Sequence, residues 1–253
     1  MMFTVVTSIN EKYWNEQFNF NLKSWLKFFP EDCKIRIYTE DNIAFPQDPR
    51  LCIFDLYASC PELVEFAQKH KNNPHYNGTK TTKPRMAFKW NAIKFAHKTF
   101  PLFHSAENCS GKLIWLDADV LAIQPLTQDF FSNLLEPSGG VYYLGRPTVY
   151  SECGFVMYDL DNPHVQQFVK EFRDTYRDNN LDDIRETHDS FVFDHVRTNF
   201  HEQSIFVDLN KDAKTNKHPF HESALRQCLT HQKGHNKERK QQKFIKRYKL
   251  EGL

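Results

Sequence analysis

The chain is 253 residues long, with a formal net charge of +1, 40% hydrophobic and 15% aromatic residues. That length supports one sizeable core, or two lobes around a single sheet, and the composition excludes a disordered chain. The opening MMFTVVTSIN has no basic stretch ahead of an apolar one, and no apolar run approaches the roughly 20 residues that span a bilayer, so a soluble, cytoplasmic protein is expected.

In chain order, Phe3 to Val6 is β-branched and aromatic and runs into Thr-Ser-Ile-Asn, which predicts a buried strand ending in a functional loop. Trp14, Phe18, Leu22, Trp25, Leu26 and Phe29 then recur at helical spacing, predicting a helix over 13–28 closed by Pro30. Ile35 to Tyr38 alternates as a second strand, so the chain opens β-α-β, the start of an α/β domain with a parallel sheet. From Ala44 to Thr82 the chain is rich in Pro, Asn, His and Lys and reads as an irregular crossover with one short helix at 62–71.

Arg85 to Phe100 is predicted as one helix, with Met86, Trp90, Ile93 and Phe100 on one face and Arg85 and Lys89 on another. Trp25, Trp90 and the phenylalanines are expected in the core. The strand Lys112 to Leu116, KLIWL, is followed by DADV at its carboxyl end, where α/β sheets carry ligands. Gly140 to Leu144 and Gly154 to Tyr158 read as strands, Pro163 to Tyr176 as an amphipathic helix, and Asp189 to Val196 as a further helix. The last stretch, 231–253, sets eight Lys and Arg against two Glu, a net +6 that leaves the rest of the chain near −5. The six cysteines form no CxxC pair and are expected as reduced, mostly buried thiols. His97, His164 and His195 stand alone and receive no role.

Two clusters carry chemistry. Asp117 and Asp119, at i and i+2 after a buried strand, point to the same side if the backbone stays extended, and together can hold one divalent cation. Mg²⁺ or Mn²⁺ takes a few carboxylate oxygens plus phosphate and water, which suits an open pair facing a diphosphate. The second cluster is His231-Gln-Lys-Gly234-His-Asn-Lys237. Its imidazole can complete a metal site, its glycine admits a phosphate to the backbone, and its lysine neutralises phosphate charge. The same residues also fit the start of a solvated basic tail.

The ordered set of Thr-Ser loop, basic helix, KLIWLDADVLAIQPL, SECGFVMYDL, ETHDSFVFDHV and HQKGHNK resembles the GT-A fold glycosyltransferases, most of all the glycosyltransferase family eight type and its bacterial and viral relatives. The resemblance implies an α/β, Rossmann-like fold: a mixed, mostly parallel sheet flanked by helices. It implies a single domain over 1–253, with a donor-binding half (1–125), an acceptor half (126–230) and a basic segment (231–253) closing on the diphosphate. Asp117, Asp119 and His231 match its metal ligands, and Gly234 and Lys237 match its diphosphate-binding residues. Thr7 and Tyr13 fall where the family contacts the nucleoside, and Arg85 and Lys89 on the helix that supplies a basic contact to the donor. Glu238 and Arg239 stand where the family motif continues Pro-Trp.

Asp189, in THDSF, matches the acidic residue at the sugar, although its position also fits a helix N-cap. Glu152 is a second acidic candidate. Cys153, Gly154 and His188 fall on the acceptor side, where Cys153 equally fits an ordinary strand edge. The implied activity is transfer of a sugar from a nucleotide-sugar, a UDP-sugar by expectation, to a hydroxyl of a glycan, lipid-linked, protein or modified-DNA acceptor. A divalent cation assists, and the anomeric configuration is retained. DADV also fits a haloacid-dehalogenase-like phosphatase with Asp117 as nucleophile, but that motif belongs near the start of its domain. The basic tail also fits contact with DNA.

Overall fold

The computed structural model describes residues 3–135, 139–178, 180–217, 219–232, 237–248 and 250. Four strands make a parallel block, β1 (Phe3–Ile9), β2 (Lys34–Thr39), β3 (Leu51–Asp55) and β4 (Lys112–Leu116); β6 (Val141–Leu144), β7 (Glu152–Asp159) and β8 (Phe206–Asp208) extend it. The sheet order is β3-β2-β1-β4-β7-β6-β8, with β7 antiparallel to both neighbours and β8 parallel to β6. This is the expected mixed, mostly parallel α/β sheet.

Alternation along the strands divides the core into two layers. Leu113 and Trp115 of β4 face one side with Val6, Tyr38, Val156 and Tyr158, covered by α2 (Pro61–His70), α3 (Ala92–Glu107), α4 (Pro163–Arg177) and α5 (Asp189–Asn199). Ile114 and Leu116 face the other side with Val5, Ile37, Phe155 and Met157, covered by Phe18, Leu22 and Trp25 of the first helical segment. That segment comprises a turn at Glu11–Tyr13, a wide π-turn at Trp14–Phe18 and α1 (Asn19–Phe28). Trp25 is fully buried, and burial of a side chain that size stabilises the fold by about 3 kcal/mol.

Three sequence expectations need correction. The run 44–82 contains β3, a parallel edge strand, and helical turns at Leu56–Ser59 and Pro74–Asn77 besides α2. The single helix over 85–100 is two elements: a 3₁₀ stretch at Pro84–Trp90 and α3, which starts afresh because the Asn91 side chain accepts the Lys94 N–H as an N-cap. Trp90 consequently lies half-buried, its indole N–H donating to the Arg185 carbonyl, rather than in the core.

Near the chain's end a second, two-stranded sheet pairs β5 (Val120–Ala122) with β9 (Leu229–His231), Val120 opposite His231. The following helix α6 (Lys237–Tyr248) is no free solvated arm. Phe244 and Tyr248 pack with Leu250 against Phe20, Phe28, Leu121 and Ile123. No helix among the described residues is long and apolar enough to cross a membrane. All six cysteines are free thiols, four of them buried.

Candidate active site

The carboxyl ends of the parallel strands and the start of antiparallel β7 meet at one edge of the sheet, beneath a cleft of about 780 Å³. Asp117, Asp119, Glu152, Cys153, Gly154, His188, Asp189, His231 and Tyr13 all line it.

DAD does not stay extended as expected. The Val120 N–H donates to the Asp117 carbonyl at 2.9 Å, closing a turn over 117–120, while the Asp117 N–H stays tied to the Gly154 carbonyl at 2.9 Å. The carboxylates converge through this turn, not through strand alternation. The helical segment that packs beneath supplies the reason. Asn21 donates to the Ala118 carbonyl at 2.8 Å, the Trp25 indole to the Val120 carbonyl at 2.9 Å, and the Ala122 N–H to the Ser24 hydroxyl at 3.1 Å. The Asp119 carbonyl accepts the Gln232 N–H at 3.0 Å and sits 3.4 Å from Gln17 Nε2. Gln17, Asn21 and Ser24 recur at i, i+4 and i+7, a polar stripe on an otherwise apolar face. That stripe is a sequence signal for a pinned loop.

Pairing of Val120 with His231 brings the C-terminal strand back to the turn. His231 Nε2 lies 2.7 Å from Asp119 Oδ1, and one donor atom from each of Asp117, Asp119 and His231 lies within 4.8 Å of the other two. Two carboxylate oxygens and an imidazole suit Mg²⁺ or Mn²⁺. One further observation fits such a group: Gly154 clears the space the His231 ring fills, with Nε2 turned to Asp119. A Cβ at position 154 would stand 2.7 Å from His231 Cε1.

The structure adds a cation that sequence reasoning missed. Lys98 of α3 reaches 2.8 Å from both Asp117 Oδ1 and Asp189 Oδ2, donates to the Cys153 carbonyl at 2.6 Å, and lies over the Trp115 ring. Burial opposes its charge, but the two carboxylates outweigh that, so the ammonium is held well above its ordinary pKa. Asp189 is the mirror case. Burial would raise its pKa, yet Lys98 and then His188 leave it lowered, so it is an ionised carboxylate at neutral pH. The N-cap of α5 is His188, whose side chain accepts the Phe191 N–H, while Asp189 is the first helical residue and faces Lys98.

Burial pushes the His188 pKa down and keeps its imidazole neutral. Burial and then Asp119 and Asp117 raise the Tyr13 pKa, an electrostatic mark of its closeness to the aspartates. Glu152 pairs with Arg146 at 2.9 Å and lies 3.7 Å from His231 Nδ1. The Cys153 thiol is pushed far up by burial and then by Asp189, so it stays protonated.

Other predicted residues lie elsewhere. Thr7 is fully buried under the cleft floor, and its neighbour Ser8 reaches the cleft instead. Arg85 is exposed and Lys89 pairs with Glu186 at 2.8 Å; neither lines the cleft, and from their 3₁₀ turn it is Phe88 that reaches it. Gly234 and the Lys237 side chain lie outside the described residues. The geometry does not favour the phosphatase reading, since DADV follows the fourth strand in chain order, not the first.

No family model and no curated protein matches the sequence. Solved structures do match. A glycosyltransferase involved in glycosylation of the major capsid of PBCV-1 shares 9% identity over 97% of this chain and 100% of that one, with a TM-score of 0.50. This chain shares the fold of that enzyme. Mouse xyloside xylosyltransferase 1 matches at 11% identity over 83% of this chain and 86% of that one, TM-score 0.49. WbbM, a bifunctional glycosyltransferase, matches at 10% identity over 83% of this chain and 39% of that one, TM-score 0.46.

Proposed function

We propose that the chain is a metal-dependent glycosyltransferase of the family eight type, transferring a sugar from a UDP-sugar to a hydroxyl acceptor with retention of anomeric configuration. The observation that carries this reading is the convergence of Asp117, Asp119 and His231, from segments more than a hundred residues apart in sequence, at the carboxyl edge of the sheet. These three residues would hold a Mn²⁺ or Mg²⁺, which supplies charge neutralisation on the departing diphosphate. Ser8, near the end of β1, and Tyr13, just beyond it, would form the nucleoside side of the cleft. Lys98 stands between Asp117 and Asp189 with its three donors taken by them and by the Cys153 carbonyl, so its role is to hold the two carboxylates in place.

Asp189, ionised and fixed by Lys98, stabilises positive charge developing at the anomeric carbon. The acceptor oxygen bonds to that carbon while the carbon–oxygen bond to the diphosphate breaks, its electron pair staying on the diphosphate. The acceptor's proton leaves with the diphosphate, so atoms and charge balance. Glu152, held by Arg146, and Gly154 border the acceptor side. Most of the donor side would come from residues 1–125 and most of the acceptor side from 126–230, with His231 returning to the diphosphate.

A panel of nucleotide-sugars, each assayed for release of the nucleoside diphosphate with Mn²⁺ and with chelator, tests the reading. Mn²⁺-dependent turnover of a UDP-sugar that is lost in Asp119→Ala supports it. Hydrolysis of phosphate esters without turnover of any nucleotide-sugar rejects it.

A further inference from the structure

Beyond Asp189 the cleft changes character. Phe88, Phe95 and Tyr150 line it around the buried ring of His188, with centroids 5.3, 5.9 and 4.3 Å from that ring. All three are half-buried, so each shows part of its surface to the cleft. They come from three separate elements: the 3₁₀ stretch, α3 and the loop after β6. Around them Arg146 is paired with Glu152 and Lys89 with Glu186, while the exposed Lys94 holds its ammonium over the Phe95 ring, 6.0 Å from the centroid. Arg146 also lies over the Tyr150 ring at 5.2 Å.

We infer that this wall is the acceptor subsite and that the acceptor is a neutral saccharide; the inference rests on the function proposed above. A pyranose ring offers a face of C–H groups, weakly positive, to the negative face of an aromatic ring, and a rim of hydroxyls to planar charged groups. Phe88, Phe95 and Tyr150 supply the first kind of surface and the Arg146–Glu152 pair the second. A polyanionic acceptor such as DNA fits poorly, because Arg146 and Lys98 are neutralised by carboxylates already, which leaves Lys94 as the one lysine or arginine of the described lining with its charge to offer. An extended peptide adding a strand also fits poorly, because β4 and β7 on the floor are each paired on both sides.

The test is saturation-transfer NMR on the full chain with methyl pyranosides and neutral disaccharides, run with and without UDP and Mn²⁺, alongside a Ser/Thr peptide and a DNA oligonucleotide. Saturation of ring C–H protons in at least one saccharide is expected, with affinity falling about tenfold in Phe88→Ala and in Tyr150→Ala and restored in Phe88→Tyr. Near-UV circular dichroism identifies a variant that has lost its fold, and the two positions lie on different segments. No signal from any saccharide, or affinity unchanged in both folded variants, overturns the inference. The thermal shift of the unaltered protein with UDP and Mn²⁺ separates the two readings. A shift with no saccharide signal rejects the acceptor alone, and a saccharide signal with no shift rejects the donor reading alone.

Discussion

Replacing Lys98 by methionine keeps the length of the side chain and removes the charge that Asp117 and Asp189 share. Lys98 is 16% exposed and Asp189 9% exposed, so the pair is largely shielded from water; Asp117, at 29%, is less so. Removing one partner of a buried pair strands the other charge, and the partial exposure of Asp117 puts the cost at about 3 kcal/mol. For a chain of this size that corresponds to a fall in Tm of roughly 6–12 °C at pH 7.

The pH dependence follows from the same groups. In the unaltered protein Asp189 has a lowered pKa, so its contribution is present above the unfolded carboxylate value of about 3.9 and is lost as pH falls through the folded value. In Lys98→Met, burial without the ammonium raises that pKa, and the carboxyl takes up a proton as pH falls. The deficit is therefore largest at neutral pH and shrinks as pH approaches roughly 4. Differential scanning fluorimetry of both proteins from neutral to acid pH measures it. A deficit under about 2 °C at pH 7, or one that stays constant to acid pH, refutes the shared-charge account.

Asn21→Leu leaves the Ala118 carbonyl without its donor, at a cost of about 1–3 kcal/mol. Because that carbonyl lies between the two aspartates, Mn²⁺ affinity by electron paramagnetic resonance is expected to fall as well; destabilisation with unchanged affinity would mean the helix does not position the turn. Gly154→Ala forces the His231 ring aside, and calorimetry is expected to show weakened Mn²⁺ binding with little loss of secondary structure by circular dichroism. Arg85→Ala, on an exposed residue outside the cleft lining, is expected to leave donor KM within about twofold by steady-state kinetics, in line with the small effect of surface substitutions. Gln17→Leu breaks the 2.6 Å contact with Gln232 beside His231, and hydrogen exchange at β9 is expected to quicken.

The parts of the fold legible in the sequence were those whose periodicity reports burial. KLIWL is buried on both faces and reads as a continuous apolar run, and α4 repeats Val165, Phe168, Val169 and Phe172 inward. β3 was hidden because, as an edge strand, LCIFD is only partly buried and stands among prolines. The break at Asn91 was hidden because apolar residues continue across it, so the cap outweighs an uninterrupted hydrophobic pattern. In the site, Asp117, Asp119 and His231 were found through motif spacing, whereas the bent turn that unites the aspartates depends on hydrogen bonds from Asn21 and Trp25 nearly a hundred residues earlier. Lys98 carries no motif. Its only local signal is a lysine at i+3 from Phe95 and i−4 from Leu102, and its partners come from two distant segments.

The central claim is that Asp117, Asp119 and His231 act together on one cation that binds a nucleoside diphosphate. Isothermal titration of UDP into the protein, with Mn²⁺ and then with chelator, for the unaltered chain and for His231→Ala, addresses it most directly. The account predicts UDP binding that requires Mn²⁺ and weakens at least tenfold in His231→Ala, a loss of about 1.4 kcal/mol or more. UDP binding of equal strength with and without Mn²⁺, or a His231→Ala protein that binds UDP and Mn²⁺ as well as the unaltered one, would contradict it.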